Sequence, residues 1–327
     1  MITVTYNLSL TMVDTKVCNS LTDTTSAMRC YLCNNTSKDF NNIEEMLKAK
    51  VTTDNLRFGL STLHCWIRCF EFLLHLSHKL ENEKWQARST NQKESVKTRK
   101  ENIQKAFKKQ LGLNVDKPRS GSGNSNDGNT ARGFFENYKK SAEITGIDED
   151  IIYRFYVILQ TIASGYAINV DNFRQYTTEL AQIIVEKFPW YYMPTLVHKL
   201  LIHGPEIVKY AVLPIGQMSE DAQEACNKYF KIFRINFARK NYRLKTMEDV
   251  FKRFLISSDP YISSCRKLPT KSLRSLFQDT INLLASPTID TATDLDDSEY
   301  SETSGSEIDS DVNDCDTHDL GNENFFL

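Results

Sequence analysis

The chain has 327 residues, 40% hydrophobic and 25% charged, enough for one large core or two to three smaller ones. Its start, MITVTYNLSLTMVD, lacks a basic n-region and a cleavage pattern, Arg68 and Arg154 interrupt the longest apolar stretches, and eight cysteines do not make a disulfide framework. A secretory signal, a membrane span and a disulfide scaffold are therefore not expected, and a reducing compartment that leaves thiols free for metal is. The net charge of −2 hides an asymmetry: from Asp290 onward there are 13 acidic residues and no Lys or Arg, which leaves 40 basic against 29 acidic residues before it. A basic body with an acidic tail suits a handler of nucleic acid, and ordinary surface charge with a disordered tail accounts for it equally well.

Residues 1–13 alternate loosely and predict a strand ending at Asp14, and 15–27 are polar and turn-like. The pair Cys30 and Cys33 in MRCYLC follows, then a short helix in SKDFNNIEEMLKAK and a strongly apolar, buried helix over 54–80. From His78 to Arg119 there are 12 basic against five acidic residues, with Ile103, Ala106, Phe107 and Leu111 at helical spacing, so an amphipathic basic helix is predicted. SGSGNSNDGNTARG (120–133) reads as a flexible loop; it lacks the Gly-Lys-Ser/Thr ending of a phosphate-binding loop. Helices are expected over 148–164 and 171–187, opened by Asp148 and Asp171. Pro194 suits the first turn of another helix, and Gly204-Pro205 should stop it. Ser219 can cap a long helix whose Phe230, Phe233 and Phe237 form a buried stripe, and a last helix covers about 246–256.

Two thiolates at Cys-x-x-Cys spacing supply half of a tetrahedral zinc site, and no second Cys-x-x-Cys follows. His198 and His203 form a His-x4-His pair. Five residues turn about 140° round an ideal helix, so a shared metal requires His203 to sit where the helix frays at Gly204-Pro205. His64, Cys65, Cys69, His75 and His78 compete as ligands from one helix, where Cys65 and Cys69 also read as plain core. Spacing alone leaves both readings open.

VHKLLIHGPEIV (197–208), SEDAQEACNKYFKIFR (219–234), NFARK and TMEDVFK (246–252) resemble, in this order, the catalytic half of the V(D)J recombination-activating (RAG) recombinase and the Transib transposases. MVDTKVCNSLTDTTSAMRCYLC and DGNTARGFF resemble the same family upstream. The resemblance implies an RNase H-like core whose two Asp and one Glu hold two magnesium or manganese ions, with a zinc-bound helical insertion between the second Asp and the Glu. By position Asp14 matches the second aspartate, Glu224 the glutamate, and Cys30, Cys33, His198 and His203 the zinc ligands. Two metal ions would clamp the attacking and leaving oxygens of a phosphoryl displacement. Only 13 residues precede Asp14, so the first aspartate and most of the sheet are not expected in this chain, nor is cleavage by it alone.

The expected fold is mainly α, a helical zinc-binding insertion plus a C-terminal remnant of an RNase H-like α/β core and a disordered acidic tail. The divisions fall at 1–25 (core remnant), 26–119 (Cys pair and basic helix), 120–133 (loop), 134–218 (His pair), 219–286 (Glu224 helix and those after it) and 287–327 (tail). DNA is the implied partner. Its expected contacts are Lys97, Arg99, Lys100, Lys105, Lys108 and Lys109 on the basic helix, Arg132, and Lys228, Lys231, Arg234, Arg239 and Arg243 beyond Glu224. The resemblance further implies a nuclear protein, a homodimer or an accessory recombinase subunit, and no membrane. A non-enzymatic, zinc-structured DNA- or chromatin-associated protein is the alternative.

Overall fold

In a computed structural model of the chain, the described residues are 15–118, 125–218, 221–265 and 276–285, without the side chains of 15, 16, 221–225, 260 and 263. The strand predicted over 1–13, Asp14, Ser219 and the acidic tail lie outside them. What is described is mainly helical, as the spacing of apolar residues predicts.

Residues 15–27 are not all turn: α1 (Thr15–Leu21) forms because Cys18 is buried in the core and Thr22 closes the helix, its hydroxyl donating to the Cys18 carbonyl at 2.8 Å. Asn42 caps the short α2 (Ile43–Lys48). The apolar run starting at Asp54 opens as a 3-10 turn (Thr53–Phe58) and becomes α3 (Thr62–Ser77) only after Ser61, whose hydroxyl accepts from the His64 N–H at 3.1 Å. α4 (Thr90–Leu111) is the basic helix. Ser89 and Gln92 form a capping box, and Gly112 ends it at φ +69°. The expected loop over 120–133 is cut short by α5 (Gly128–Glu136), because the Asp127 carboxylate accepts from the Thr130 N–H at 2.9 Å and Phe134 and Phe135 are core residues.

α6 (Tyr138–Thr145), α7 (Glu149–Ala163) and α8 (Val170–Lys187) follow. Asp148 caps α7 as expected. Asn169 rather than Asp171 caps α8, its side-chain oxygen accepting from the N–H groups of Asp171 and Asn172 at 3.2 and 3.1 Å. α3 packs against α5 and α7, and rings interlock there: Phe70 and Phe107 on Phe134, Phe72 on Phe155, at 5.1 to 5.9 Å between centroids. The chain returns to this core in α14 (Gln278–Asn282), where Tyr153 donates to Asp279 at 3.1 Å and Leu283 and Leu284 are buried. Cysteine and histidine halves thus share one core. Between departure and return stand α11 (Asp221–Ile232), α12 (Arg243–Ser257) and α13 (Pro260–Ser264). None of their described residues joins the main core cluster. The stripe of Phe230, Phe233 and Phe237 is therefore not buried as expected: Phe230 and Phe233 are half-buried, Phe233 against Phe254 of α12, and Phe237 is 50% exposed.

One polar knot fixes the connection after α4. The Asp116 side chain is 5% exposed and accepts from Lys100 at 2.9 Å, Asn126 at 2.7 Å and His75 at 3.2 Å. Burial would raise this carboxyl, but the bonds from His75 and Lys100 outweigh it and hold it well below the usual carboxylate range. Asp116→Ala should destabilise the fold by about 2–3 kcal/mol in chemical denaturation, since Lys100 and His75 keep partial access to water. A depressed folded-state value contributes stability that is complete above the unfolded value near ~4 and drains away as pH falls below it. The wild-type advantage over Asp116→Asn should therefore shrink steadily in titrations below about pH 4.

Candidate metal centre

The first half of the site is a tight turn. Arg29 and Thr36 form an isolated antiparallel bridge, the Cys30 N–H donates to the Asn35 carbonyl at 2.9 Å and the Asn34 N–H to the Cys30 carbonyl at 2.8 Å. Asn34 takes the left-handed conformation at φ 60°, which asparagine tolerates better than most residues. Thr36 is held in turn by the Asp39 carboxylate, through its N–H at 2.9 Å and its hydroxyl at 2.8 Å.

The second half resolves the 140° problem by a route the spacing did not predict. α9 (Thr195–His198) runs into a π-helical turn over Lys199–His203 and then into α10 (Gly204–Tyr210). A turn hydrogen-bonded from i to i+5 carries His203 back to the face of His198. Gly204-Pro205 does not stop the helix: Pro205 takes an early position of α10, where its missing N–H costs nothing. A Cβ at Gly204 would lie 3.3 Å from the Phe173 ring, closer than an ordinary contact.

The two halves meet. His198 Nε2 lies 3.1 Å from His203 Nε2 and 3.5 Å from Cys33 Sγ, and the ligand atoms of Cys30, Cys33, His198 and His203 all lie within 4.8 Å of one another. Tetrahedral zinc with Zn–N near 2.0–2.1 Å and Zn–S near 2.3 Å separates N from N by roughly 3.3 Å and S from N by roughly 3.5 Å. The cluster can therefore hold a metal such as zinc. The Cys33 thiol is drawn far below its ordinary value, first by its bond with Cys30 and then by His198 and His203, while the same contact and burial push Cys30 up. Burial lowers His198, which keeps it neutral as a ligand must be. The two sulfurs compete for one proton, which a cation would replace.

Neighbours hold the donors in place. Phe40 stacks on the His198 ring at 3.8 Å and 3° between planes. Asn41 donates to the Tyr191 carbonyl at 2.9 Å and accepts from the Met193 N–H at 3.2 Å, and Thr195 donates to the Ala27 carbonyl at 2.8 Å. Sequence reasoning missed Lys199. It is 5% exposed, and its ammonium lies 3.0 Å from the Tyr31 hydroxyl, between the two cysteines in sequence. No local signal marks it, because a lysine is ordinarily an exposed residue.

The competing ligands are accounted for separately. Cys65 and Cys69 are core, His64 bonds Ser61 at 2.8 Å, and His75 bonds Asp116. His78 is buried, with its value pushed down to about 3 by burial. Among the described residues no second group of His, Cys, Asp and Glu converges as the first does.

Of the remaining site candidates, Asp14 lies outside the described residues, and Glu224 is placed only by its backbone in α11. Lys97, Lys105, Lys108 and Lys109 are exposed on α4, and Glu101 shares their stripe. Arg99 and Lys100 are committed to the fold instead. Arg99 donates to the Ser77 and Thr145 carbonyls at 2.6 and 3.0 Å and to Glu81 at 3.0 Å, and Lys100 holds Asp116. Arg132 is half-buried in α5 and engaged there. Lys228, Lys231, Arg234 and Arg243 are exposed, whereas Arg239 donates to Asp249 at 2.7 and 2.8 Å. No family model and no curated protein matches the chain. No helix among the described residues is long and apolar enough to cross a membrane.

Proposed function

We propose that this chain is the zinc-structured, DNA-binding portion of a recombinase or transposase of the RAG and Transib kind. The observation that carries the reading is the convergence of two thiols and two imidazoles from segments 165 residues apart, at the positions the resemblance singles out. The zinc is structural. Four protein donors leave no open position for a substrate, so its work is to fasten the Cys turn to the π turn. In this reading Asp14 and Glu224 of α11 serve as carboxylate ligands of magnesium or manganese in an RNase H-like site. Such ions would stabilise the attacking and leaving oxygens of a cut phosphodiester.

DNA meets the exposed lysines of α4 and the exposed cations of the α11–α12 hairpin. The test is fluorescence anisotropy with a labelled duplex across a salt series. Affinity should fall steeply as salt rises, with a log–log slope of about −0.9 for each phosphate neutralised. Replacing Lys97, Lys105 and Lys108 together by Glu should flatten that slope by about 2–3. Salt-independent binding, or none at low salt, would remove nucleic acid from this reading.

The zinc half is tested through the stacked ring. Phe40→Ala frees the His198 imidazole to rotate, and loss of such an orienting partner costs roughly 10–100-fold in metal affinity. Competition with a chromophoric chelator should register that weakening, with one zinc per chain still bound when metal is in excess. Unchanged affinity would show that Phe40 only fills space.

A further inference from the structure

The α11–α12 hairpin carries a feature that general DNA binding does not use. A π turn over Phe233–Phe237 ends α11, and the link to α12 is pinned where Arg239 donates its backbone N–H at 2.9 Å and its guanidinium to Asp249. Beside this link opens a cavity of about 730 Å³, lined chiefly by Phe230, Arg234, Ile235, Lys240, Tyr242 and Arg243. No carboxylate of the described residues lines it. The sorting of charge is what gives it meaning. Outside the cavity Arg239 is paired with Asp249, Lys245 and Lys252 with Glu248, and Arg253 lies over the Phe237 ring at 4.2 Å. Inside it, Arg234, Lys240 and Arg243 have no carboxylate partner among the described residues. Tyr242, 53% exposed, is the N-cap residue of α12 and makes no side-chain cap bond.

Three cations with no carboxylate partner among the described residues call for an anion, and the flat apolar surfaces between them call for a ring. From this we infer that the cavity takes unpaired nucleotides of single-stranded nucleic acid, with a base stacked on Tyr242 or Phe230 and phosphates on Arg234, Lys240 and Arg243. A duplex offers phosphates but keeps its bases stacked inside, so it uses only half of this surface. The inference rests on the nucleic-acid reading above and narrows it to the strand form that this site selects.

The test uses the full zinc-loaded chain and a fluorescent 12-nucleotide strand, its duplex, and vesicles of phosphatidylserine and phosphatidylcholine, at matched salt. The single strand should bind more tightly than the duplex. Tyr242→Ala should weaken the single strand about 10-fold and the duplex by no more than about twofold, and Tyr242→Phe should restore the strand. A 2-aminopurine in the strand should be quenched by the wild type and by Tyr242→Phe but not by Tyr242→Ala. Equal losses on both DNA forms, or vesicles displacing the strand, would overturn the inference while the broader nucleic-acid reading stands. Failure to bind either DNA form would sink the nucleic-acid reading together with it.

Discussion

Stripping zinc from the purified chain should lower its thermal midpoint by at least about 10 °C and expose the turn around Cys30 to hydrogen exchange. Structural zinc in small domains supplies an apparent ~10–16 kcal/mol of folding free energy, and ~1 kcal/mol moves the midpoint of a domain this large by about 2–4 °C. The full amount should not be lost here, because the bundle has a metal-independent core around Phe70, Phe134 and Phe155. The local structure has less to fall back on. The Cys turn and the π turn meet at the four donor atoms, and the π turn gives up α-helical hydrogen bonds to bring His203 to His198. Exchange should therefore quicken first over residues 28–42 and 195–204, while the amides of α3 and α7 stay protected. Cys33→Ser should reproduce the chelated state, and Cys226→Ser, at an exposed thiol, should leave midpoint and zinc content unchanged. A chelated protein with the same midpoint and the same exchange pattern would remove the metal from the account of this fold.

What the sequence made legible divides along a physical line. Helices opened by a local cap could be read where the cap had no rival, as at Asp148; Asn169 displaced Asp171 because two polar side chains competed two residues apart. The metal donors were legible as residue types and spacings, yet the device that unites His198 with His203 was not. A period of 3.6 residues cannot announce a turn of a different period, and Gly204-Pro205 reads as a stop although it continues the helix. Cations were the least legible. Arg99 bonds carbonyl groups 22 and 46 residues away, so composition along α4 could not separate it from Lys97, which stays exposed. The stripe of Phe230, Phe233 and Phe237 has core periodicity, but periodicity shows which face is apolar and leaves open what covers it.

A second large effect is expected at a glycine with no distinguishing sequence context. Gly216 lies in the 3-10 turn Ile215–Met218, at the last anchored point before the chain leaves for α11. A Cβ there would sit 2.5 Å from the Gly165 nitrogen, 2.7 Å from the Ala163 carbonyl oxygen and 2.8 Å from its carbon. All three are backbone atoms, so no side chain can swing aside. Either the turn lifts or the end of α7 moves. Lifting the turn would pull Ile215 from the core and break the bond that Gln217 donates to the Gly165 carbonyl at 2.8 Å. Moving α7 would disturb Gly165, which reverses the chain at φ +73°. Gly216→Ala should therefore cost about 3 kcal/mol or more, the upper end of what overpacking does to a core, and lower the midpoint by about 6–12 °C. Gly112→Ala is the matched comparison. It adds a methyl group at φ +69° with nothing within 4 Å, so it should cost only the conformational ~1 kcal/mol of a left-handed alanine. Denaturant melts of the two variants separate steric from conformational demand. If Gly216→Ala is no worse than Gly112→Ala, the close approach of the two backbones is not what anchors this segment.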